Sequence, residues 1–346
     1  MRFLIVGAGA IGGYVGASLA LANNDVTFVA RPGVAAELSA GGLSLTWDQT
    51  GETKTARGLQ VATSLAEALA RPASDCLLLA VKAYDVAAFA AELKSLTSTP
   101  PPLLALQNGV AAEADLSAVF GPNSVIAGTV TTPVSRQPGG ALVVEKTRGL
   151  GVALGHALSQ PLAAAMSQVG LRARLYPAAG PMKWSKLLTN LVGNATSAIL
   201  DLPVSELFGD ARLYSIEVET LRECLRVMRA LRYPVVDLPG VPARLLAWAV
   251  TGLPSPLARP LLRRAVGGAR GAKMPSLNLD VQSGRPRTEV RWLNGAVVEH
   301  GARLGIPTPV NRVLTDTVEG LTAGRLSLAE FRHQPEALLR LVAGSA

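Results

Sequence analysis

Cysteine is nearly absent from this chain of 346 residues, which contains only Cys76 and Cys224. Two cysteines so far apart provide neither a disulfide framework nor the closely spaced ligand pairs of a metal site. We therefore expect both side chains to lie in the core and the protein to bind no metal. The expected compartment is the reducing cytoplasm. Aromatic residues are also scarce, at 4%, although 49% of the residues are hydrophobic. That composition favours a globular protein of helices and turns packed with small aliphatic side chains.

Long apolar runs are missing as well. The apolar stretch from Phe3 to Val6 is short and leads at once into glycines, so it predicts a strand and not the apolar centre of a signal peptide. No later run reaches about 18 residues without a charge, a proline or a glycine, and we expect no membrane-spanning helix.

Acidic residues are absent between Asp237 and Asp280, so most of the net charge of +8 comes from this region. The region carries the cations Arg244, Arg259, Arg263, Arg264, Arg270 and Lys273. It has few aromatic residues and no known nucleic-acid module, and we expect no nucleic-acid binding. For residues 235–272 we prefer a helical elaboration with solvated arginines; an added helical hairpin, a dimer contact and a membrane-surface patch stay open.

A strand, a glycine turn and a helix open the chain. Gly7 suits a tight turn, Gly9 lets the backbone approach a pyrophosphate, and Gly12 allows close packing of the helix. The free N–H groups at the start of the helix would then face the phosphates. We expect the cofactor to bind along the whole turn, which is Gly7, Ala8, Gly9, Ala10, Ile11 and Gly12.

The second strand, residues 25–30, ends at Arg31 where an NAD-specific site would carry a carboxylate for the ribose 2′-OH. A guanidinium suits a 2′-phosphate through its charge and its forked geometry. The sequence thus favours NADP(H). The alternative is that Arg31 is solvated and contacts no phosphate. Glu37 would then be a poor substitute for the carboxylate that binds the ribose 2′-OH of NAD.

Two further buried strands, residues 75–81 and 103–106, deliver Lys82 and Asn108 at their carboxyl ends. Ligands of open α/β sheets bind at that edge. We therefore expect both side chains beside the dinucleotide turn.

The second half of the chain is nearly all helical in pattern. We expect a nucleotide-binding Rossmann domain over residues 1–178 and a helical domain over 179–346. Early in the helical part, Lys186, Asn190 and Asn194 follow one another at four-residue steps, which predicts one polar stripe on one helix. A cation with two amides in an apolar helix suits a small anionic, oxygen-rich molecule.

Taken together, the motifs resemble those of the ketopantoate reductases, also called 2-dehydropantoate 2-reductases. The matching motifs are Gly7-x-Gly-x-x-Gly12, Arg31, Val81-Lys82, Gln107-Asn108-Gly109, Trp184-x-Lys186-Leu-x-x-Asn190-x-x-x-Asn194, Ser276-x-x-x-Asp280, Thr288-Glu289 and Gly305-Ile-Pro-Thr-Pro-x-Asn311. The resemblance implies an α/β Rossmann domain, a helical domain of the 6-phosphogluconate dehydrogenase-like C-terminal fold, and NADPH reduction of 2-ketopantoate to pantoate in pantothenate biosynthesis.

The resemblance also implies roles for single residues. Lys186 corresponds to the catalytic lysine and Glu289 to the acidic residue that completes the site and contacts the cofactor. Asn190, Asn194 and Ser276 correspond to substrate-holding groups, and Lys82 and Asn108 to groups at the nicotinamide end, with Asn108 also near the substrate. Arg287 precedes Thr288-Glu289 where the family usually has Gly-Arg-Pro-Thr-Glu.

The chemistry fits these roles, because reducing a ketone leaves charge on oxygen and needs a positioned cation that can give up a proton. Two alternatives stay open. One is reduction of another 2-oxo acid on the same fold, and the other is a nonenzymatic NADP(H)-sensing module that binds an anionic partner. A homodimer is possible in either case.

Overall fold

The computed structural model describes residues 1–270 and 274–345. The chain forms two compact units, the first comprising Met1–Lys183 with Leu238–Val241, and the second Trp184–Asp237 with Pro242–Ala346. The boundary predicted after residue 178 lies at the start of helix Ala179–Leu191, whereas the observed division falls inside that helix. The side chain of Lys183, at the end of the first unit's main segment, bonds to Gln107 O and Gly128 O of the same unit.

The strands of the described residues belong to the first unit. They are β1 (Arg2–Val6), β2 (Asp25–Val29), β3 (Leu43–Trp47), β4 (Glu52–Ala56), β5 (Gln60–Ala62), β6 (Cys76–Leu79), β7 (Leu103–Ala105), β8 (Val125–Val130), β9 (Val134–Arg136), β10 (Leu142–Val144), β11 (Leu150–Ala153) and β12 (Ala173–Tyr176). The helices of that unit are α1 (Ala10–Leu21), α2 (Pro32–Gly41), α3 (Leu65–Leu69), α4 (Val86–Leu96), α5 (Ala112–Phe120) and α6 (Ser159–Gln168).

Helix α7 (Ala179–Leu191) crosses the boundary between the units. The second unit continues with α8 (Asn194–Leu200), α9 (Val204–Leu207), α10 (Ala211–Ala230), α11 (Ala243–Gly252), α12 (Ser255–Arg270), α13 (Ser276–Gln282), α14 (Asn294–Arg303), α15 (Pro309–Thr322), α16 (Leu328–Phe331) and α17 (Pro335–Ala343). The prediction of an α/β nucleotide-binding part followed by a helical part is confirmed.

The main sheet has eight strands in the order β12-β11-β8-β7-β6-β1-β2-β5. Neighbours are parallel except for β8 and β11, which pair antiparallel. The alternating pattern of residues 41–63 predicts a hairpin or an irregular crossover. A second sheet, in the order β4-β3-β10-β9, contains a hairpin of β3 and β4 there. The short strands β9 and β11 and helix α6 were not predicted.

Both faces of the main sheet are covered, as an all-apolar parallel strand requires. Phe3 and Ile5 of β1 belong to one buried cluster, and Leu4 and Val6 to another. Because side chains alternate along a strand, these two clusters lie on opposite faces of the sheet. The glycine turn therefore follows a strand that is packed on both faces.

The motif that ends at Asn311 has a structural role in the second unit. Glu223 is fully buried and accepts hydrogen bonds from Val310 N at 2.9 Å, Asn311 N at 2.8 Å and Asn311 Nδ2 at 2.7 Å. The carboxylate thereby caps the N-terminus of α15, whose first N–H groups have no partner within the helix. Burial raises the pKa of Glu223, and the hydrogen bonds from Asn311 and Val310 oppose that shift.

The sequence pattern from Val290 to Leu304 predicts one helix, but the structure interrupts it. A short 3-10 turn covers Val290–Trp292, and α14 begins only at Asn294. Leu293 lies between them with φ −105° and ψ −95°, which is not helical. The side chain of Asn294 donates to Asn311 Oδ1 at 2.9 Å, so α14 starts where it can join the buried network at α15.

Two helices, α11 and α12, occupy most of residues 235–272. Residues 271 and 272 of this segment, and Lys273 after it, lie outside the described part of the chain. Leu245, Trp248, Leu257 and Leu261 are exposed on the two helices. The interpretations given above for this segment remain predictions. Among the described residues, no helix is both long and apolar enough to span a bilayer.

Candidate active site

The glycine turn joins β1 to α1 and is closely packed at its ends. Gly7 has φ +99°, and a Cβ there would lie 2.9 Å from the backbone of Ala80 and Val81. A Cβ on Gly12 would lie 2.1 Å from Gly7 O. Both positions therefore require glycine, Gly7 for its backbone conformation and Gly12 for its contact with the turn.

Gly9 differs from these two glycines. It is the N-cap of α1 with φ −77°, and a Cβ built on it meets no atom of the chain within 4 Å. No side chain of the described residues caps the first N–H groups of this twelve-residue helix. The turn thus presents bare backbone and uncapped donors to open space, an arrangement that fits a dinucleotide pyrophosphate.

The carboxyl ends of the central strands meet at one edge of the sheet. Val6 of β1 is in register with Val29 of β2 and Leu79 of β6, and Leu79 is in register with Ala105 of β7. The residues that follow these ends include the glycine turn, Arg31, Lys82 and Asn108. The first unit therefore brings its predicted cofactor residues to a common edge.

Arg31 is exposed and is the N-cap of α2. Glu37, the alternative acid, pairs with Arg136, whose Nη2 lies 3.1 Å from Glu37 Oε2. Arg136 Nη1 also donates to Ala8 O in the glycine turn at 2.8 Å. The carboxylate of Glu37 is thus already in an ion pair, while Arg31 places an exposed cation just after β2.

Lys82 and Asn108 are both half-buried. The buried side chain of Gln107 links their loops, because its Nε2 donates to Leu79 O at 2.8 Å and to Val81 O at 3.4 Å. The turn after Asn108 is completed by Gly109, with φ +84°. These bonds hold the two strand ends at a fixed separation.

Lys183 of α7 also holds this edge of the sheet, although its side chain is only 4% exposed. Its Nζ donates to Gln107 O at 2.7 Å and to Gly128 O at 3.3 Å. The same nitrogen forms an ion pair with Glu113 Oε1 at 2.8 Å. A buried cation is stable only with such partners.

In the second unit, Lys186 and Asn190 are half-buried and lie one turn apart on α7. Their neighbours Trp184, Leu187 and Leu191 are buried in the core. The first two members of the predicted stripe therefore share one helix face.

The third member of the stripe does not lie on this helix, so the prediction of one continuous stripe is wrong. The chain leaves α7 at Leu191, and Gly193 adopts φ +63° before α8 starts at Asn194. A Cβ on Gly193 would lie 2.4 Å from the side chain of Val204, and its N–H donates to buried Glu217 Oε2 at 2.6 Å. This packing favours the left-handed turn over a continuous helix.

Asn194 is 6% exposed at the first position of α8. Among the described residues, none donates a hydrogen bond to its buried Oδ1. A buried acceptor without a donor is costly. The atom is therefore suited to a ligand that brings a hydroxyl or an N–H group.

Ser276 and Glu289 occupy different settings. Ser276 is exposed at the first position of α13, which is tied to α8 by Asn278 Nδ2 donating to Ser197 O at 2.9 Å. Glu289 is 6% exposed and precedes the 3-10 turn. Both lie in the second unit with Lys186, and their roles at the site stay predictions.

Three residues that the sequence reasoning did not assign contribute to the nucleotide edge, namely Gln107, Arg136 and Lys183. The only signal for Lys183 was a second lysine three residues before Lys186 in the same predicted helix. Its acceptors on Gln107 and Gly128 are 76 and 55 residues away along the chain. A local pattern could not reveal them. The cysteines are free and buried, and burial raises the pKa of both thiols, that of Cys76 to about 12, so neither has the exposed thiolate typical of a reactive cysteine.

Two family models match this chain. Residues 3–156 match the model described as ketopantoate reductase PanE/ApbA, and residues 180–322 match that of the ketopantoate reductase PanE/ApbA C terminal. The two matches together cover most of both units.

Individual proteins agree with these models. A 2-dehydropantoate 2-reductase of Archaeoglobus fulgidus is 28% identical over 327 residues, 93% of this chain and 98% of that protein. A solved PanE/ApbA family ketopantoate reductase from Ralstonia eutropha JMP134 superposes with a TM-score of 0.79 at 26% identity, over 94% of this chain and 99% of that one. A D-mandelate dehydrogenase with NADH and anilino(oxo)acetate has a TM-score of 0.76 at 20% identity, over 94% of this chain and 99% of that one, a likeness of fold.

Proposed function

The chain belongs to the ketopantoate reductase family and is an oxidoreductase, and from that premise we propose that it reduces 2-ketopantoate to pantoate with NADPH. Pantothenate biosynthesis is the pathway that this reaction would serve, and the cytoplasm the proposed compartment. The observation that carries the proposal is the pair on α7, where a half-buried lysine lies one turn before a half-buried amide. Lys186 can donate a proton, and Asn190 can bind oxygen atoms without adding charge.

The residues of the first unit fit an NADPH molecule. The uncapped start of α1 would hold the pyrophosphate, Arg31 the 2′-phosphate, and Lys82 and Asn108 the nicotinamide end. When bound, NADPH supplies the hydride for the keto carbon.

Lys186 has two tasks in this proposal. Its ammonium group stabilises the charge that develops on the keto oxygen, and it then gives that oxygen a proton. Asn190 and Ser276 would hold the substrate carboxylate, and Glu289 would complete the site. The lysine afterwards regains its proton from solvent.

The buried acceptor on Asn194 supports a substrate that carries a hydroxyl group. 2-Ketopantoate has a terminal hydroxymethyl group, whereas 2-ketoisovalerate has the same branched skeleton without it. A site built to bind a hydroxyl discriminates strongly against the analogue that lacks it, because the acceptor is left unpaired.

Steady-state rates with NADPH and a set of 2-oxo acids test this substrate. We expect kcat/KM for 2-ketopantoate to exceed that for 2-ketoisovalerate by about 10²-fold or more. A preference for 2-ketoisovalerate or for benzoylformate would support reduction of another 2-oxo acid. NADPH binding without turnover of any oxo acid would support the sensing module instead.

Replacing Arg31 tests the choice of cofactor. In Arg31→Ala, the Kd of NADPH should rise about tenfold to a hundredfold, since a charge-assisted hydrogen bond contributes about 1.5–3 kcal/mol. The Kd of NADH should stay near that of the parent. Arg57→Ala, an exposed arginine of the same unit, is the control. Equal weakening of both cofactors in Arg31→Ala would contradict binding of the 2′-phosphate.

A further inference from the structure

The buried ammonium group of Lys183 contacts more oxygen atoms than are needed to balance its charge. Its ammonium has three donors and lies within 3.3 Å of Gln107 O, Gly128 O and Glu113 Oε1. One of these three oxygens, on Glu113, already balances the charge. The other two are backbone carbonyls, and one of them belongs to the loop that carries Asn108.

The bond to Gln107 O orients the peptide that joins Gln107 to Asn108. No cis peptide bond occurs in the described residues, so the carbonyl and N–H groups of this planar peptide point in opposite directions. With the carbonyl directed at Lys183 Nζ, the N–H of Asn108 must face the other way. Lys183 thereby determines how Asn108 leaves the strand end.

Gln107 is fixed at its other end as well. Its side chain donates to Leu79 O, which also accepts from Leu106 N at 3.0 Å. The residue before Asn108 is therefore held at its side chain by the β6 edge and at its carbonyl by α7. Rotation of this peptide would break the bond to Lys183, leave the buried carbonyl of Gln107 without that donor, and remove one of the three oxygen partners of the buried cation.

We infer that Lys183 is a positioning residue, which sets the orientation of Asn108 toward the nicotinamide end of the cofactor. The inference rests on the proposed function only for the place of the nicotinamide. Lys183 itself touches no reacting atom. Its loss is expected to affect the nicotinamide half of the cofactor and to spare the adenosine half, which lies at Arg31 and the glycine turn.

The test uses two variants of the full chain. Lys183→Met keeps the length of the side chain but leaves the half-buried Glu113, whose Oε1 atom is inaccessible to solvent, without its cation, which is destabilising. The double variant Lys183→Met/Glu113→Leu removes both charges and should fold, because buried ion pairs are often replaced by apolar residues without loss. The control is Glu92→Leu/Lys94→Met, a change of the same kind at exposed positions of α4.

Binding is measured for NADPH and for 2′,5′-ADP, which lacks the nicotinamide half. In the double variant we expect the Kd of 2′,5′-ADP within about twofold of the parent, with the Kd of NADPH raised and kcat for 2-ketopantoate lowered, each about tenfold. The control should match the parent for both ligands and in kcat. A double variant with parental NADPH binding and kcat would show that the pair is only structural and overturn the inference.

The remaining outcomes are also decisive. Equal weakening of NADPH and 2′,5′-ADP would indicate a general distortion of the nucleotide unit and would likewise overturn the inference. A parent that binds NADPH but reduces no oxo acid would refute the proposed function alone, since the two Kd values still report on Lys183. A parent that binds neither ligand would refute both.

Discussion

Lys186→Ala should lose almost all turnover while it still binds NADPH. A positioned general acid contributes about 10²- to 10⁴-fold to a rate, and kcat with 2-ketopantoate is expected to fall by that factor. The Kd of NADPH should stay within about twofold of the parent, because the groups proposed to hold its phosphates lie in the first unit. Stopped-flow absorbance and fluorescence titration measure these two quantities.

Two controls separate proton donation from packing. Lys94→Ala removes an exposed lysine of α4 and should leave kcat unchanged. In Lys186→Ala, added methylamine should restore part of the rate, because a small amine can occupy the space of the ammonium group and donate the proton. A variant with near-parental turnover would exclude Lys186 as the proton donor.

Gly9→Ala should strongly weaken cofactor binding and leave the fold intact. The added Cβ meets no atom of the chain within 4 Å, and φ −77° suits any residue. The melting temperature should therefore change little, while the methyl group occupies space that the pyrophosphate needs. We expect the Kd of NADPH to rise at least about 10²-fold, the equivalent of roughly 2.7 kcal/mol.

Substitutions at two other glycines serve as controls for Gly9→Ala. Gly41→Ala, at the end of α2, also meets no atom within 4 Å and should bind NADPH as the parent does. Gly12→Ala would place its Cβ 2.1 Å from Gly7 O, so it should lower the melting temperature as well. If Gly9→Ala bound NADPH normally, the turn would not be the pyrophosphate site.

The nucleotide unit could be predicted because its signals are local. A buried strand, glycines at fixed spacing and a helix follow one another within the first 21 residues, ending at Leu21. The apolar runs that become β6 and β7 likewise place Lys82 and Asn108 at strand ends without knowledge of distant contacts. The side chain of Gln107 joins the ends of these two strands, and the sequence pattern did not predict that contact.

The polar stripe shows where the local pattern fails. The four-residue spacing is correct from Lys186 to Asn190, but a glycine inside a helix costs only about 1 kcal/mol relative to alanine, so Gly193 alone does not predict a break. Val204 and Glu217 decide the conformation there, and both come from later helices. The buried acceptor of Asn194 is a consequence of that break.

The measurement that tests the account most directly is the mass of the product formed from 2-ketopantoate and NADPH that carries deuterium at both C4 positions of its nicotinamide. Transfer of the hydride to the keto carbon predicts pantoate that carries one deuterium at C2. NADPH consumption that yields unlabelled pantoate, or no pantoate, would contradict the account.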